Sequence, residues 1–187
     1  MKKVIVVMGN SCSGKDTHAK LLATKLNYKY FDCGEAINTE IENETKIGLA
    51  AKRYIEMKTP IPDELVVRLI KESIIDLKEG GIVFNKFPGN ANQTKMLETF
   101  LFVKRISRPI AILLESDLLC SLNRMLEKTK TIDYDAATKI YNQHEAKHKL
   151  IKEYYEYYAL KFNTSNKTIE ESNEEIIKTL KDKRLLA

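Results

Sequence analysis

Val4-Ile5-Val6-Val7-Met8-Gly9-Asn10-Ser11-Cys12-Ser13-Gly14-Lys15-Asp16-Thr17 decides the fold. Its first five residues are a continuous apolar run, the pattern of a parallel strand buried on both faces. Gly9 then opens a G-x-x-x-x-G-K spacing that ends at Lys15, and Ala19, Leu21, Leu22 and Leu26 follow at helical spacing. Strand, glycine-rich turn and helix in that order predict a loop that cradles the phosphates of a nucleoside triphosphate. Glycines let the backbone wrap closely, and the unpaired N–H groups of the helix start face an anion. Lys15 adds a point charge toward the β- and γ-phosphates. Gly9, Ser13, Gly14, Lys15, Asp16 and Thr17 are thus the candidate triphosphate-binding residues, although Asp16 stands where the pattern usually has Ser or Thr.

Outward from this stretch, strands and helices alternate. Tyr30-Phe31-Asp32 reads as a second strand, Ala36 to Glu44 and Gly48 to Met57 as helices. Asp63 is placed to cap a helix with Leu65, Val66, Leu69, Ile70 and Ile74 on its apolar face, and Gly80-Gly81 to end it. Ile82-Val83-Phe84 is a third strand, followed by a loop from Asn85 to Asn92 and a helix through Phe102. Pro109 to Leu114 is a fourth strand, followed by a helix from Asp117 to Lys128 and a polar loop from Thr129 to Asp135. A charged helix from Ala136 to Tyr158 and a fifth strand, Leu160-Lys161-Phe162, come next. Ser172 with Glu175 resembles a capping box at or just inside the last helix. Five such strands predict an α/β sandwich of three layers around a parallel sheet, with ligands beyond the carboxyl ends of the strands.

Composition narrows the function classes. The 187 residues suit one domain, with no linker-like stretch and no repeat. No apolar run approaches the roughly 20 residues of a membrane span, and the run after Lys2-Lys3 is too short for a signal peptide. Cys12, Cys33 and Cys120 are odd in number and lack CxxC spacing, which fits a reducing cytoplasm rather than a disulfide or zinc framework. The net charge of +5 comes from dispersed lysines, so nucleic acid is not an expected partner. Without a span no membrane partner is expected either, and a monomer is the expectation.

The loop resembles that of the adenylate kinase and nucleoside-monophosphate kinase family, which reads G-x-x-G-x-G-K-G-T. Gly9, Gly14, Lys15 and Thr17 match, while Cys12 and Asp16 replace two glycines. Cys33-Gly34-Glu35 is similar to the family's Thr-Gly-Asp, and Ile61-Pro62-Asp63-Glu64 to its monophosphate-binding segment. Phe87-Pro88 and Gln93 match its Phe-Pro-Arg…Gln loop, Arg124 an arginine lying against the donor adenine, and Phe162 to Ser165 its final strand and loop. The resemblance implies a P-loop kinase using Mg2+ with ATP and transferring a phosphoryl group to a nucleoside monophosphate, AMP by default. It implies Lys15 and Arg124 as catalytic cations, Gly34, Ile61, Phe87, Pro88 and Gln93 as acceptor-binding residues, and Thr17, with Asp16, as Mg2+ ligands. A helical monophosphate-binding insert over about Glu35 to Leu77 and a short lid near Lys128 to Asp135 complete the expectation.

The departures fall mostly on the acceptor side. Asn38 and Gly89 stand at two arginines of the family, Asn85 at its strand-three aspartate, and no arginine lies between Arg124 and Arg184. Such an arginine is worth about 10³–10⁵ in rate in related phosphoryl transfer. Lys86 and Lys128 are partial substitutes that cannot fork onto two oxygens. Impaired transfer is therefore expected. A nucleotide-binding protein without turnover, and a P-loop kinase with another small acceptor, are the alternatives.

Three further features have blander readings. His144-Glu145-Ala146-Lys147-His148 spells a zinc-protease H-E-x-x-H, but no third ligand is evident, and His18 is the only other histidine. Tyr154, Tyr155, Tyr157 and Tyr158 fall on different helix faces and do not form a stacking platform. Cys12 is read as a small-residue substitution rather than a redox thiol.

Overall fold

β1 (Lys3–Gly9) is buried along nearly its whole length, as its unbroken apolar run requires, and sits at the centre of a five-stranded sheet. The computed structural model describes residues 2–186, the Lys147 side chain excepted, so the domain ends read from the sequence, Met1 and Ala187, lie outside the described residues. β2 (Lys29–Asp32), β3 (Gly81–Asn85), β4 (Ile110–Glu115) and β5 (Leu160–Asn163) complete the sheet in the order β2-β3-β1-β4-β5. Every pairing is parallel, with Val6 opposite Phe84 on one side and Ala111 on the other.

Alternate residues of each strand face opposite layers. Val4, Val6, Met8, Ile82, Phe84 and Leu113 pack against α4 (Asp63–Ile75), α5 (Ala91–Val103) and the end of α7 (Tyr134–Tyr155). Ile5, Val7, Val83, Ile112 and Leu114 pack against α1 (Lys15–Leu26) and α8 (Ile169–Asp182). The three-layer α/β architecture is as the alternation predicts. α2 (Cys33–Glu42), α3 (Lys46–Glu56) and α4 form a helical arm between β2 and β3, and α6 (Leu118–Lys128) precedes α7. The connection from α6 to α7 is only Thr129–Asp133, shorter than the polar stretch suggests, because Asp133 caps α7 through the Ala136 N–H. No helix of the described residues is long and apolar enough to cross a membrane.

Local signals are corrected in three places. Asp63 is the first residue of α4 rather than its cap; Pro62 precedes it, and the Asp63 carboxylate turns away to α5. The capping box of α8 is Thr168 with Glu171, because Ser172 lies inside the helix and is buried. α4 ends at Ile75, and Gly81 belongs to β3, where a Cβ would come within 2.4 Å of the Tyr28 ring. The tyrosine cluster divides as predicted, with Tyr155 fully buried and Tyr157 96% exposed.

Candidate active site

Beyond the carboxyl end of β1 lies a cavity of about 520 Å3. Gly9, Gly14, Lys15, Asp16 and Thr17 line it from the loop and the first turn of α1. Phe87 and Pro88 line it from the segment after β3, with Lys86 beside them. Arg124 and Lys128 enter from α6. The predicted triphosphate loop and part of the predicted acceptor segment thus share one opening.

The loop holds its shape through tight backbone contacts. Gly14 has φ +88 and caps α1, a conformation that side-chain-bearing residues adopt at a cost. Asn10 is the hub. Its N–H donates to Leu114 O (3.2 Å), and its side-chain amide donates to Ser116 O (3.2 Å) and Tyr141 Oη (3.0 Å). Its carbonyl accepts from Ser13 Oγ (2.9 Å) and from Lys15 Nζ (2.5 Å). Lys15 therefore folds onto its own loop rather than onto a carboxylate. Burial lowers its pKa, outweighing the nearby Asp16 charge; an ammonium left desolvated in this way gains from an incoming anion.

Ser13 differs from its loop neighbours. It is fully buried, and its carbonyl accepts from Thr164 Oγ1 at 3.1 Å. Arg124 clamps the same corner, donating to Cys12 O (3.3 Å), Thr164 Oγ1 (3.2 Å) and Thr164 O (2.7 Å). The last strand, α6 and the loop are thereby fastened together at the cavity wall.

At the end of β3, the fully buried Asn85 Nδ2 lies 2.9 Å from Asp16 Oδ1, 2.9 Å from Asp32 Oδ2 and 3.0 Å from Tyr30 Oη. Asn85 Oδ1 is buried without a partner. Lys86 reaches Asp32 at 2.9 Å, and this hydrogen bond raises the lysine pKa. Burial alone would raise the Asp32 pKa, but hydrogen bonds from Lys86, the Glu35 N–H and Asn85 outweigh it and hold the carboxyl below its ordinary range.

Three predicted acceptor residues do not reach the cavity. Gly34 lies in the first turn of α2, its N–H donating to Asp32 Oδ1, and Ile61 packs against the core. Gln93 is buried, accepting from the Gly89 N–H at 2.7 Å and donating to Asp63 Oδ1 at 2.8 Å. Asn90 and Asn92 also donate to Asp63, at 2.8 and 2.7 Å. Asn38 is exposed on α2. His18 is buried beside Asn173. Among the described residues no group of three His, Cys, Asp or Glu side chains is placed to hold a metal.

In sequence comparison, residues 7–163, which include this strand and loop, fit the family model described as adenylate kinase. The chain belongs to the adenylate kinase family. An adenylate kinase of Flavobacterium psychrophilum is 32% identical over 146 residues, covering 75% of this chain and 76% of that protein. One of Hydrogenobaculum sp. is 30% identical over 103 residues, 55% of this chain and 49% of that protein. One of Borrelia turicatae is 35% identical over 98 residues, 52% and 47% respectively. The chain thus spans about half the length of two of these adenylate kinases.

Lys152, which no sequence pattern singles out, also lines the cavity. Lys152 donates to Asn10 Oδ1 (2.9 Å) and Glu145 Oε2 (2.6 Å), and with His144 and His148 lines the cavity. The separation of 142 positions between Asn10 and Lys152 hides this contact from any local pattern.

Proposed function

We propose that the protein binds Mg2+·ATP at the Gly9–Thr17 loop and transfers its γ-phosphoryl group to a small acceptor, a nucleoside monophosphate with AMP the default. The observation that carries this is the single cavity joining Lys15, Asp16 and Thr17 to Lys86, Phe87 and Arg124, in a chain of the adenylate kinase family. The α2–α4 arm is the monophosphate-binding insert in this reading, and Thr129–Asp133 lies in the short lid. A monomer acting in the cytoplasm fits the composition.

Lys15 exchanges the Asn10 carbonyl for a phosphate oxygen and draws charge from the γ-phosphate. No protein nucleophile takes part. The acceptor oxygen forms the new bond to γ-phosphorus as the bond to the bridging oxygen breaks in line, and ADP leaves with that electron pair. The adjacent Asp16 carboxylate, Thr17 hydroxyl and orphaned Asn85 Oδ1 are hard oxygen donors that suit Mg2+. Mg2+ supplies neutralisation of phosphate charge.

Transfer is proposed to be slow. Gly89 offers only a backbone N–H, already donated to Gln93, and both ends of the Gln93 amide are engaged. The same observation favours a second reading, nucleotide binding without turnover. A coupled ADP assay with ATP and AMP separates the two. AMP-dependent ADP formation that Lys15→Ala abolishes supports the kinase; ATP binding with no turnover on any monophosphate selects the second reading.

A further inference from the structure

The wall of the cavity formed by α7 carries His144, His148 and Lys152, spaced i, i+4 and i+8, so they fall on one helix face and all line the same opening as Lys15. Asp16 is the sole carboxylate among the described lining residues, against Lys15, Lys86, Arg124, Lys128 and Lys152. Lys152 is 23% exposed and touches the loop itself through Asn10 Oδ1. Its counter-charge, Glu145, keeps one buried oxygen without a partner, so this carboxylate is engaged only in part. The two imidazoles stack with centroids 6.4 Å apart and planes 20° apart, and no third ligand makes them a metal site among the described residues.

We propose that His144, His148 and Lys152 form a second polyphosphate-binding face, sharing the cavity with the Gly9–Thr17 loop, that contacts the phosphate tail and makes its affinity depend on pH. The proposal deepens the reading of the loop as a triphosphate site and rests on it. In the free protein, burial, followed by the charges of Lys15, His144 and Lys152, lowers the His148 pKa, with Glu145 opposing. Asp16 on α1, Arg124 and Lys128 on α6 and Lys86 after β3 also face the cavity. A polyanion reverses the sign of the local potential, so the His148 imidazole takes up a proton as it binds and affinity rises as pH falls.

The test titrates ATP and inorganic tripolyphosphate into the intact protein at pH 6 and pH 8. It is repeated with His144→Asn/His148→Asn and with Lys152→Met/Glu145→Gln, the latter removing both charges so that no buried carboxylate is stranded. Comparing variant with wild type at each pH cancels the ligand's own titration. The histidine variant is expected to weaken both ligands about fivefold or more at pH 6 and less than twofold at pH 8. The lysine variant, with thermal melting confirming its fold, weakens both ligands at both pH values, and Lys152→Arg retains binding. Unchanged affinities in both variants, with binding still dependent on Lys15, would overturn this face while leaving the loop intact. Loss of ATP binding alone, with tripolyphosphate unaffected, also overturns it. If neither ligand binds the wild-type protein, the loop reading itself fails.

Discussion

Gly9 and the Leu114 carbonyl oxygen approach so closely that a Cβ on Gly9 would lie 2.0 Å from that oxygen, and Gly9 has φ +153. The contact brings the start of the loop against the end of β4, where Asn10 donates to the same oxygen. Gly9→Ala cannot be absorbed by a side-chain shift, since the obstacle is backbone. We predict a loss of about 3 kcal/mol or more, read by urea unfolding, with ATP binding lost alongside.

Cys12 has φ 58, the left-handed region, at a position where the family has glycine. That conformation costs a non-glycine residue about 1–2 kcal/mol, offset in part by the larger unfolded-state entropy of glycine. Cys12→Gly is expected to raise Tm by roughly 2–4 °C. An unchanged or lower Tm would show that the thiol contributes packing worth as much as the strain.

Arg124 serves the scaffold as well as the cavity. Its donors to Cys12 O and Thr164 are arranged as a fork that lysine cannot reproduce. Arg124→Lys should lower stability by about 1–3 kcal/mol and weaken ATP binding. A drop in ATP affinity with an unchanged denaturation midpoint would mean that the clamp is not structural.

Acid should loosen the arm. Burial would raise the Asp63 pKa, but hydrogen bonds from Asn92, Asn90 and Gln93 hold it below the ordinary carboxylate range, and Asp32 is lowered likewise. A carboxyl with a depressed folded pKa stabilises the fold fully above its unfolded pKa of about 3.9 and loses that contribution as pH falls through the folded value. Asp63→Asn should therefore be less stable than wild type at pH 6, with the gap closing below about pH 4. A gap independent of pH would exclude the carboxylate charge as its source.

The fold and the loop were legible because both are local. Val4 to Thr17 carries strand, turn and helix start in one stretch, and the alternating apolar runs predicted all five strands of the sheet. What was hidden is tertiary. Asp63 looks like a helix cap in sequence, yet three amides at the start of α5, those of its cap Asn90 and of Asn92 and Gln93, claim its carboxylate, a pairing 27 to 30 positions away. Gln93 matched a motif, and the structure shows that its amide is engaged within the protein. Asn10 occupies an unspecified position of the loop pattern and yet organises it, while Lys152 sits in a helix whose many charges mask the one that reaches the cavity.

The central claim is an ammonium group waiting for a polyphosphate, and calorimetric titration of Mg2+·ATP into wild type and Lys15→Ala tests it most directly. Saturable binding by the wild-type protein, weakened about tenfold or more by the substitution, is the predicted result. No binding at millimolar ATP, or equal affinity in the two proteins, would contradict it.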